Sequence, residues 1–467
     1  MNSRRIRRGA ALLLAMIILA TLSAWAVSIC SSSGVNVQLA ENQRKADGAR
    51  ASAESGLEIM RFWLGRFSAP GKTDHGDVFE MLANSANSHS LQADLDENGI
   101  SNITTDYTGS TITVPSVTLD SLKGQSFSVQ ITQVGPVGAE MLQVDVTGTY
   151  GALTKTLRAN YQFGTRPHTV FDYGVATKGP LSLAGNIELE GVNVSVESDV
   201  YIESSGSNLA LSIIGNSHIA GDVHIGNRLA TVDLQGGQAS IGGETGQAAI
   251  DNHVSFGVPM EEFPEPDPGS FEQYVVNTVD SSTDTTSDAT FENVRIVAGT
   301  NPTFSGHVTL KGVVFIETPN VVTFTGDSTV TAIIVGDGSL EDDSGTNQIN
   351  FIGNVESHCV SELPNEAQFE GLRDETGTFI VAPGFHVSFG GSFDALSGAI
   401  AGNGIEFSGN AGGTINGSVI NYSDDDMTLT GNSDLFFNRS GTVKIPAGFV
   451  LEIVLRYDPS SYSEVTN

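Results

Sequence analysis

The hexapeptide Met427-Thr428-Leu429-Thr430-Gly431-Asn432 is the clearest copy of a motif that recurs throughout the chain after Phe171. The pattern is apolar, polar, apolar, any residue, glycine and then usually a small polar residue. One copy, Thr303-Phe304-Ser305-Gly306-His307, lacks the first apolar residue. The repeat-turn glycines of the set are Gly185, Gly215, Gly306, Gly326, Gly353, Gly391, Gly409 and Gly431.

Such a repeat cannot form a core by itself, because each short strand has a single apolar side and then turns at a glycine. Parallel stacking of coils buries the apolar side of each strand against its neighbours. Glycine spacings of 18, 20, 22, 27 and 38 residues indicate coils of about 20 residues with loop insertions. We therefore predict a parallel β-helix, or solenoid, over residues 170–457. A flat β-sandwich also has alternating strands but explains the repeated Gly-Asn step less well.

Two stretches within this body break the repeat, and together they predict an excursion at residues 257–290. Pro259–Gly269 contains four prolines and four acids, which is too proline-rich for a central strand. Asp280–Asp288 is composed of Ser, Thr and Asp, and Phe271–Val276 between them predicts a short helix or strand. The apolar tail Phe449–Leu455 is expected to cap the last coil or to pair with it.

A smaller β domain is predicted at residues 67–165. Between Ile103 and Phe163 apolar and polar residues alternate with a period of two, which indicates an antiparallel meander. Tyr150-Gly151-Ala152 has the composition of a hairpin turn. The apolar side of such a meander needs a cover, and an amphipathic helix can supply it.

The N-terminal region has the pattern of a membrane helix. Residues 1–9 form a basic leader with Arg4, Arg5, Arg7 and Arg8, and Ala10–Cys30 carries no charge. At about 1.5 Å per residue, a helix over residues 10–30 spans the hydrocarbon layer of a bilayer. The basic leader predicts a cytoplasmic N-terminus, an extracytoplasmic body and a single-pass protein of the cytoplasmic membrane.

The helix is expected to continue as an amphipathic extension over residues 31–66, since no proline interrupts it before Leu64. Apolar residues recur there at intervals of three, four or seven. They are Val35, Leu39, Ala46, Ala49, Ala53, Leu57, Met60 and Leu64. The sequence thus predicts one helix of about 50 residues that is membrane-apolar first and amphipathic later.

Three processing routes remain open for this segment. Cleavage after Gly9 would leave Ala10 as the new N-terminus and keep the apolar helix. Ala24-Trp25-Ala26 fits the small-x-small rule of signal peptidase, which would release the body. The stretch before Cys30 faintly matches a lipoprotein site, but Ile29 is bulky for that position.

Arg8-Gly9-Ala10-Ala11-Leu12-Leu13-Leu14 and Ala51–Leu57 resemble the N-terminal domain of PilX-type minor pilins and the K-type minor pseudopilins of type II secretion. The resemblance covers about 60 residues and implies cleavage after Gly9 by a prepilin peptidase, with pilin or pseudopilin subunits as partners. It also implies a pilin-like small β domain. Leu14 stands where major pilins place a glutamate, which favours a minor subunit over a repetitively stacked one.

The charge distribution argues against nucleic acid as a partner. The protein carries 22 Lys and Arg against 54 Asp and Glu, and the part after Arg66 retains 13 basic and 50 acidic residues. Such a surface repels phosphate backbones. The two cysteines, Cys30 and Cys359, are not expected to pair, because Cys30 lies in or beside the membrane; a buried thiol is expected for Cys359.

Candidate sites in the sequence are weak. Asp94, Asp96 and Asn98 have the spacing of the first half of a calcium loop, but the twelfth position is Thr105 rather than glutamate. The carboxylate runs Asp424–Asp426 and Glu341–Asp343 are expected in solvated turns rather than in a catalytic centre. No cofactor fingerprint is present, and we predict neither a cofactor nor an enzyme.

Two functions of different classes follow. The first is a minor pilin-like protein of a type IV pilus or type II secretion system that is anchored by residues 10–30 and displays its body for assembly, adhesion or surface contact. The alternative is a carbohydrate-active β-helix, lyase-like or hydrolase-like, that is tethered to the envelope or secreted.

Overall fold

The computed structural model describes residues 3–70, 73–83, 92, 104–136, 140–342, 345–440 and 445–465. The chain forms two compact units. The first contains the chain up to Thr165 together with Ile453 onward, and the second contains Arg166–Glu452. The second unit is thus an insertion in the chain of the first, and its limits differ from the predicted 170–457.

A single helix, α1, runs from Ser3 to Arg66 and confirms the predicted continuous helix. Its later half packs against an antiparallel sheet of seven strands, and a short helix α2 follows it at His75–Ala83. The strands are β1 Ser68–Pro70, β2 Asp106–Tyr107, β3 Thr111–Asp120, β4 Gln125–Val134, β5 Met141–Tyr150, β6 Leu153–Arg166 and β35 Glu452–Val465.

The meander prediction is confirmed, since β2 to β6 pair consecutively and antiparallel. The hairpin between β5 and β6 turns where predicted, and Gly151 there has φ +59°. The core lies between α1 and the sheet, where Ala53, Leu57 and Leu64 of the helix meet inward residues of the strands. The amphipathic half of the helix therefore supplies the cover that the sheet needs.

The last strand corrects one expectation. Strand β35 lies between β6 and β1 in the sheet of the first unit, and Ile453 and Leu455 are buried in that unit's core. The prediction that Phe449–Leu455 caps or pairs with the last coil is therefore wrong for its second half. An apolar run indicates that a strand is buried, but the pattern does not tell which sheet edge receives it.

The second unit is built from three sheets of almost entirely parallel strands. In the first coils the chain visits them in turn, as in β7, β8, β9 and then β10, β11, β12, whereas the coils from β20 to β25 have strands in the first and second sheets alone. The predicted parallel β-helix is confirmed. A short helix, α3 Gly246–His253, lies at one end of the stack.

The first parallel sheet has twelve strands: β7 Val175–Thr177, β10 Val200–Ile202, β13 Val223–Ile225, β17 Val254–Phe256, β18 Asn277–Val279, β19 Ala289–Ile296, β21 Val308–Ile316, β23 Ser328–Gly336, β25 Val355–Ser357, β26 Thr378–Ala382, β29 Ala399–Gly402 and β32 Val419–Asn421. The second has nine: β8 Leu181–Gly185, β11 Leu209–Gly215, β14 Thr231–Gln235, β20 Thr303–Phe304, β22 Val321–Phe324, β24 Gln348–Phe351, β27 His386–Phe389, β30 Ile405–Phe407 and β33 Met427–Gly431. The third has seven: β9 Glu188–Gly191, β12 His218–Ile219, β15 Ser240–Ile241, β16 Glu244–Thr245, β28 Ala395–Leu396, β31 Gly413–Ile415 and β34 Leu435–Phe437.

The order of coils in the stack is not their order in the chain. The last coil, β32 to β34, pairs with the first coil, β7 to β9, in all three sheets. The chain therefore starts in the middle of the stack and winds to the end that holds β17. Residues 257–276 then carry it to β18 at the opposite edge of the first sheet, from where it winds back to the middle.

The predicted excursion at 257–290 is thus shorter in the structure. Strand β18 already belongs to the first sheet, so residues 280–288 are a loop between two stacked strands. The stretch Phe271–Val276 does not form a separate strand, because Pro268–Tyr274 is a 3-10 helix. Phe271 from this helix is buried on the outer side of the first sheet.

Two apolar clusters hold the body together. The inner one lies between the sheets and includes a row of parallel phenylalanine rings 4.9–5.1 Å apart, Phe304, Phe324, Phe351, Phe389 and Phe407. The outer one covers the first sheet with residues of the excursion and of the segment around Val360–Leu372. The outer side of the first sheet is therefore a second core rather than a free surface.

Candidate functional site

The early part of α1 is the most unusual surface of the first unit. Its apolar side chains are exposed, with Leu12 at 67% and Trp25 at 73%. The helix has an 18-residue window of mean hydropathy 2.4, none of which is buried, and it is long and apolar enough to cross a membrane. Exposure of this many large apolar side chains is unfavourable in water and favourable in a bilayer.

The apolar stripe of α1 changes from exposed to covered along the helix. Val35 and Leu39 are exposed, whereas Ala49, Ala53 and Leu57 on the same stripe are buried against the sheet. Exposed ion pairs lie on either side of the point where the stripe changes from exposed to buried. Arg44 is 2.8 Å from Glu41, and Arg50 is 3.0 Å from Glu54. The stripe therefore extends beyond the sheet that covers it.

Glycines permit the close approach of helix and sheet. A Cβ added to Gly148 of β5 would stand 2.2 Å from the Ala49 carbonyl oxygen, and one on Gly56 of the helix would stand 2.6 Å from the Phe127 ring. Gly48 faces the Tyr150 ring in the same way. These glycines weaken the helix locally but let its backbone lie directly on the strands.

The predicted processing positions all lie within α1. Gly9 and Ala10 are helical, and only their backbone is described. Ala24 and Ala26 lie further along the same uninterrupted helix and are exposed. The calcium candidates Asp94, Asp96 and Asn98 lie outside the described residues.

The repeat-turn glycines fall into two groups by backbone conformation, and members of both groups lie close to the backbone of a neighbouring coil. Gly185, Gly215, Gly409 and Gly431 have positive φ, which L side chains rarely adopt. The others have no positive φ but meet the backbone of the preceding coil. A Cβ on Gly353, for example, would lie 2.2 Å from the Gly326 carbonyl oxygen. The second group is Gly306, Gly326, Gly353 and Gly391.

Asparagines after these glycines form ladders across the coils. The side-chain amide of Asn216 donates to Asn186 at 2.9 Å, and that of Asn186 donates to Asn432 at 3.0 Å. Asn432 in turn donates to Asn410 at 3.4 Å. The small polar residue of the repeat therefore ties neighbouring turns together.

The candidate carboxylates for catalysis do not converge. Asp424–Asp426 lie exposed in a turn, and Glu341 is exposed, while Asp343 lies outside the described residues. Within the described part of the chain, no three His, Cys, Asp or Glu side chains are grouped to hold a metal ion. Cys30 and Cys359 are both free, and Cys359 is half-buried rather than fully buried.

One buried carboxylate with many hydrogen-bond donors is not singled out by the sequence pattern. Glu197 is buried and accepts hydrogen bonds from the backbone N–H groups of Asn193, Arg439 and Ser440. The Ser440 hydroxyl and the Asn193 amide also donate to it. Burial raises the pKa of Glu197, but these donors outweigh burial and lower it to about 2. Asn193 is four residues away, but Arg439 and Ser440 come from the other end of the second unit, so no local motif marks the complete site.

Comparisons with known proteins add little. No protein-family model matches the chain, and no curated protein matches it. Among solved structures, the competence-associated pilin ComZ from Thermus thermophilus is matched over 91% of this chain and 98% of its own length, at 11% identity and a TM-score of 0.25. At so low a TM-score the two chains do not superpose as one fold.

Proposed function

We propose that the chain is a membrane-anchored, minor pilin-like protein of a type IV pilus or type II secretion system. Residues 10–30 lie in the cytoplasmic membrane, the N-terminus is cytoplasmic, and the β-helical body is displayed on the other side for assembly, adhesion or surface contact. One observation carries the proposal: α1 is exposed and apolar first and then covers its own sheet without a break. A cleaved signal peptide has no need of that continuity.

The uncovered part of the apolar stripe supports contact with further helices. Val35 and Leu39 follow the membrane segment and precede the sheet-covered residues. A helix of another pilin or pseudopilin subunit would bury these side chains and remove apolar surface from water. The prepilin peptidase is the partner expected before assembly, acting after Gly9.

We further propose that the body acts by contact and not by catalysis. The support is that Asp424–Asp426 are exposed in a turn and that the described acids form no metal-holding group. The carbohydrate-active alternative predicts product release from acidic polysaccharides, so incubation with them followed by analysis of the soluble sugars tests it directly.

The N-terminus of the mature protein tests the anchored pilin-like proposal. The full chain is expressed with a prepilin peptidase, extracted with detergent and measured by intact and N-terminal peptide mass spectrometry. We expect a chain that begins at Ala10. The variant Gly9→Val should retain the leader, whereas the matched control Ala26→Val, which changes only the signal-peptidase motif, should still begin at Ala10.

Two outcomes contradict the proposal. A native product that begins at Val27 would mean release by signal peptidase, and the body would then be a secreted β-helix. A chain that begins at Ala10 in Gly9→Val as well would mean that cleavage does not use the glycine.

A further inference from the structure

The two ends of the parallel stack are built differently, and one of them leaves part of the inner core uncovered. At that end lie β17 of the first sheet and β14 of the second, each of which pairs with one described strand only. Phe256 of β17 stands in register with Ile225, which belongs to the inner core. Ile225 is fully buried, whereas Phe256 is 38% exposed.

The last strand of the second sheet has the same property. Val232 and Leu234 of β14 stand in register with Leu211 and Ile213 of the inner core. The residues of β11 are fully buried, but those of β14 are only partly buried. Just before β14, Leu229 is 81% exposed. We call this surface the open end, and its residues are Leu229, Val232, Leu234, Val254 and Phe256.

Strand β14 also offers backbone groups for pairing. The Thr231 N–H donates to the Asn208 carbonyl oxygen of the preceding coil. Because successive residues of a strand direct their backbone groups to opposite sides, Val232 and Leu234 direct theirs away from β11. Partly exposed apolar side chains beside such an edge make a template for a further strand.

The opposite end of the stack, which we call the closed end, is covered by a polar loop, residues 280–288. The loop lies along β20, where the Ser305 N–H donates to the Thr285 carbonyl oxygen. Asp284 accepts the N–H and the hydroxyl of Thr286 at 2.9 and 2.8 Å, so the loop satisfies part of its backbone with its own side chains. Among the described strands, the third sheet stops at β28 before it reaches this end. The two ends therefore differ in cross-section as well as in cover.

This difference determines what can cover the open end. Each coil of a solenoid buries its apolar side against a neighbour of similar cross-section. The closed end of another copy does not offer one, so the ends do not match head to tail. The open end of a second copy has the same cross-section by identity. A contact of one surface with itself across a two-fold axis closes at two subunits and does not grow into a filament.

We propose that two copies of the chain pair through their open ends, with their β14 strands antiparallel across a two-fold axis. Pairing Val232 with Leu234 of the other copy would place Asp233 opposite its own equivalent, and like charges directly opposite each other are destabilising. Pairing Val232 with its own equivalent places Thr231 opposite Asp233 instead, and this is the register that we expect. The contact goes beyond the proposed function, because it belongs to the body alone and does not depend on how α1 is processed.

The molar mass of the full chain in a mild detergent tests the proposal. It is measured by light scattering after size exclusion, with the mass of bound detergent subtracted, over a range of protein concentrations. We expect a dimer that dissociates on dilution. Both copies belong to an acidic chain and bring Asp233 to the contact, so added sodium chloride should screen their repulsion and tighten the dimer.

Two variants assign the contact to the open end. Leu229→Glu introduces a charge at an exposed position of the contact and should weaken the dimer at least about tenfold. Val232→Pro removes the N–H directed away from β11, which an edge strand tolerates, and should have the same effect. The matched control Leu122→Glu changes a leucine that is 97% exposed in the turn between β3 and β4, and it should dimerise like the unaltered chain. Circular dichroism shows whether each variant is folded.

A monomer at every protein and salt concentration, particles larger than dimers, or an unweakened dimer in folded Leu229→Glu would each overturn the proposal. The N-terminal mass of the same preparation is read separately. A failure of the open-end proposal therefore leaves the anchored pilin-like proposal intact, and the reverse also holds.

Discussion

His168 is a buried histidine whose two ring nitrogens both face acceptors. Its Nε2 lies 2.9 Å from the Val450 carbonyl oxygen, and its Nδ1 lies 3.2 Å from the Glu262 carbonyl oxygen and 3.2 Å from the Glu452 carboxylate. Arg166 also donates to Glu452. Because neither nitrogen has a donor to accept from, the ring satisfies its surroundings only as the doubly protonated imidazolium. Residues from the two ends of the second unit, Arg166 and His168 at its start and Glu452 at its end, thus form one buried charge network.

This network predicts a pH-dependent stability. Burial lowers the pKa of His168, but the hydrogen bond and charge of Glu452 and the two carbonyls outweigh it, so the pKa is raised. The contribution of His168 to the free energy of unfolding is therefore complete below its usual pKa of about 6.5. It is lost as the pH rises through the raised pKa. The pKa of Glu452 is lowered. Its contribution to stability is therefore present above its usual pKa and is lost as the pH falls through the lowered pKa.

We expect the free energy of unfolding, from urea titrations at a series of pH values, to fall on the order of 1 kcal/mol as pH rises above 6.5. His168→Gln should be less stable and should lose this slope, whereas the control His218→Gln, at a half-exposed site, should keep it. An unchanged slope in folded His168→Gln would show that another group titrates.

At the scale of elements, the contact between α1 and the antiparallel sheet depends on small residues on both sides. Gly148 of β5 lies against the backbone at Ala49 and Ala53, and no side chain separates the two elements there. Gly65, on the same helix, has no atom within 4 Å of an added Cβ. The two glycines lie in different elements, and of the two only Gly148 stands where the helix meets the sheet.

Gly148→Ala is therefore expected to destabilise the first unit by about 2 kcal/mol, because a methyl group must push helix and strand apart. Gly65→Ala, at an open position of the helix, should instead stabilise the chain by about 0.5–1 kcal/mol through better helix propensity. Thermal unfolding followed by circular dichroism in detergent measures both. Equal effects of the two substitutions would contradict the packing described here.

In the whole molecule, the order in which the coils are stacked differs from their order in the chain. Coils that are far apart in the chain become neighbours, with Ser182 of β8 directly beside Thr428 of β33 in the second sheet. The terminal coil of the chain therefore needs no cap of its own, because the first coil covers it. The body is closed at this junction by side-chain packing and ladder hydrogen bonds and not by chain connection.

Chemical crosslinking in the intact chain tests whether β8 and β33 are adjacent strands. With Cys30 and Cys359 replaced by serine, the pair Ser182→Cys and Thr428→Cys should react with a short thiol crosslinker, since adjacent strands lie about 4.8 Å apart. The control pair Ser182→Cys and Ser388→Cys, three strands apart in the same sheet, should not react. Peptide mass spectrometry identifies the product, and crosslinking of the control pair instead would contradict the stack order.

The coil, the meander and the long helix are all predictable from the amino-acid sequence. These depend on local patterns: the glycine phrase sets the turn of each coil, and the apolar stripe from Ala49 to Leu64 sets the covered side of α1. The two kinds of repeat glycine, with positive φ at Gly431 and without it at Gly353, are not distinguishable from the sequence, because both occupy the same position of the same motif.

Three features depend on the tertiary structure: which coil lies beside which, where Ile453–Leu455 is buried, and the hydrogen-bond partners of Glu197 and His168. Parallel coils present nearly equivalent edges, so the local pattern allows many stacking orders and the packing of the whole body selects one.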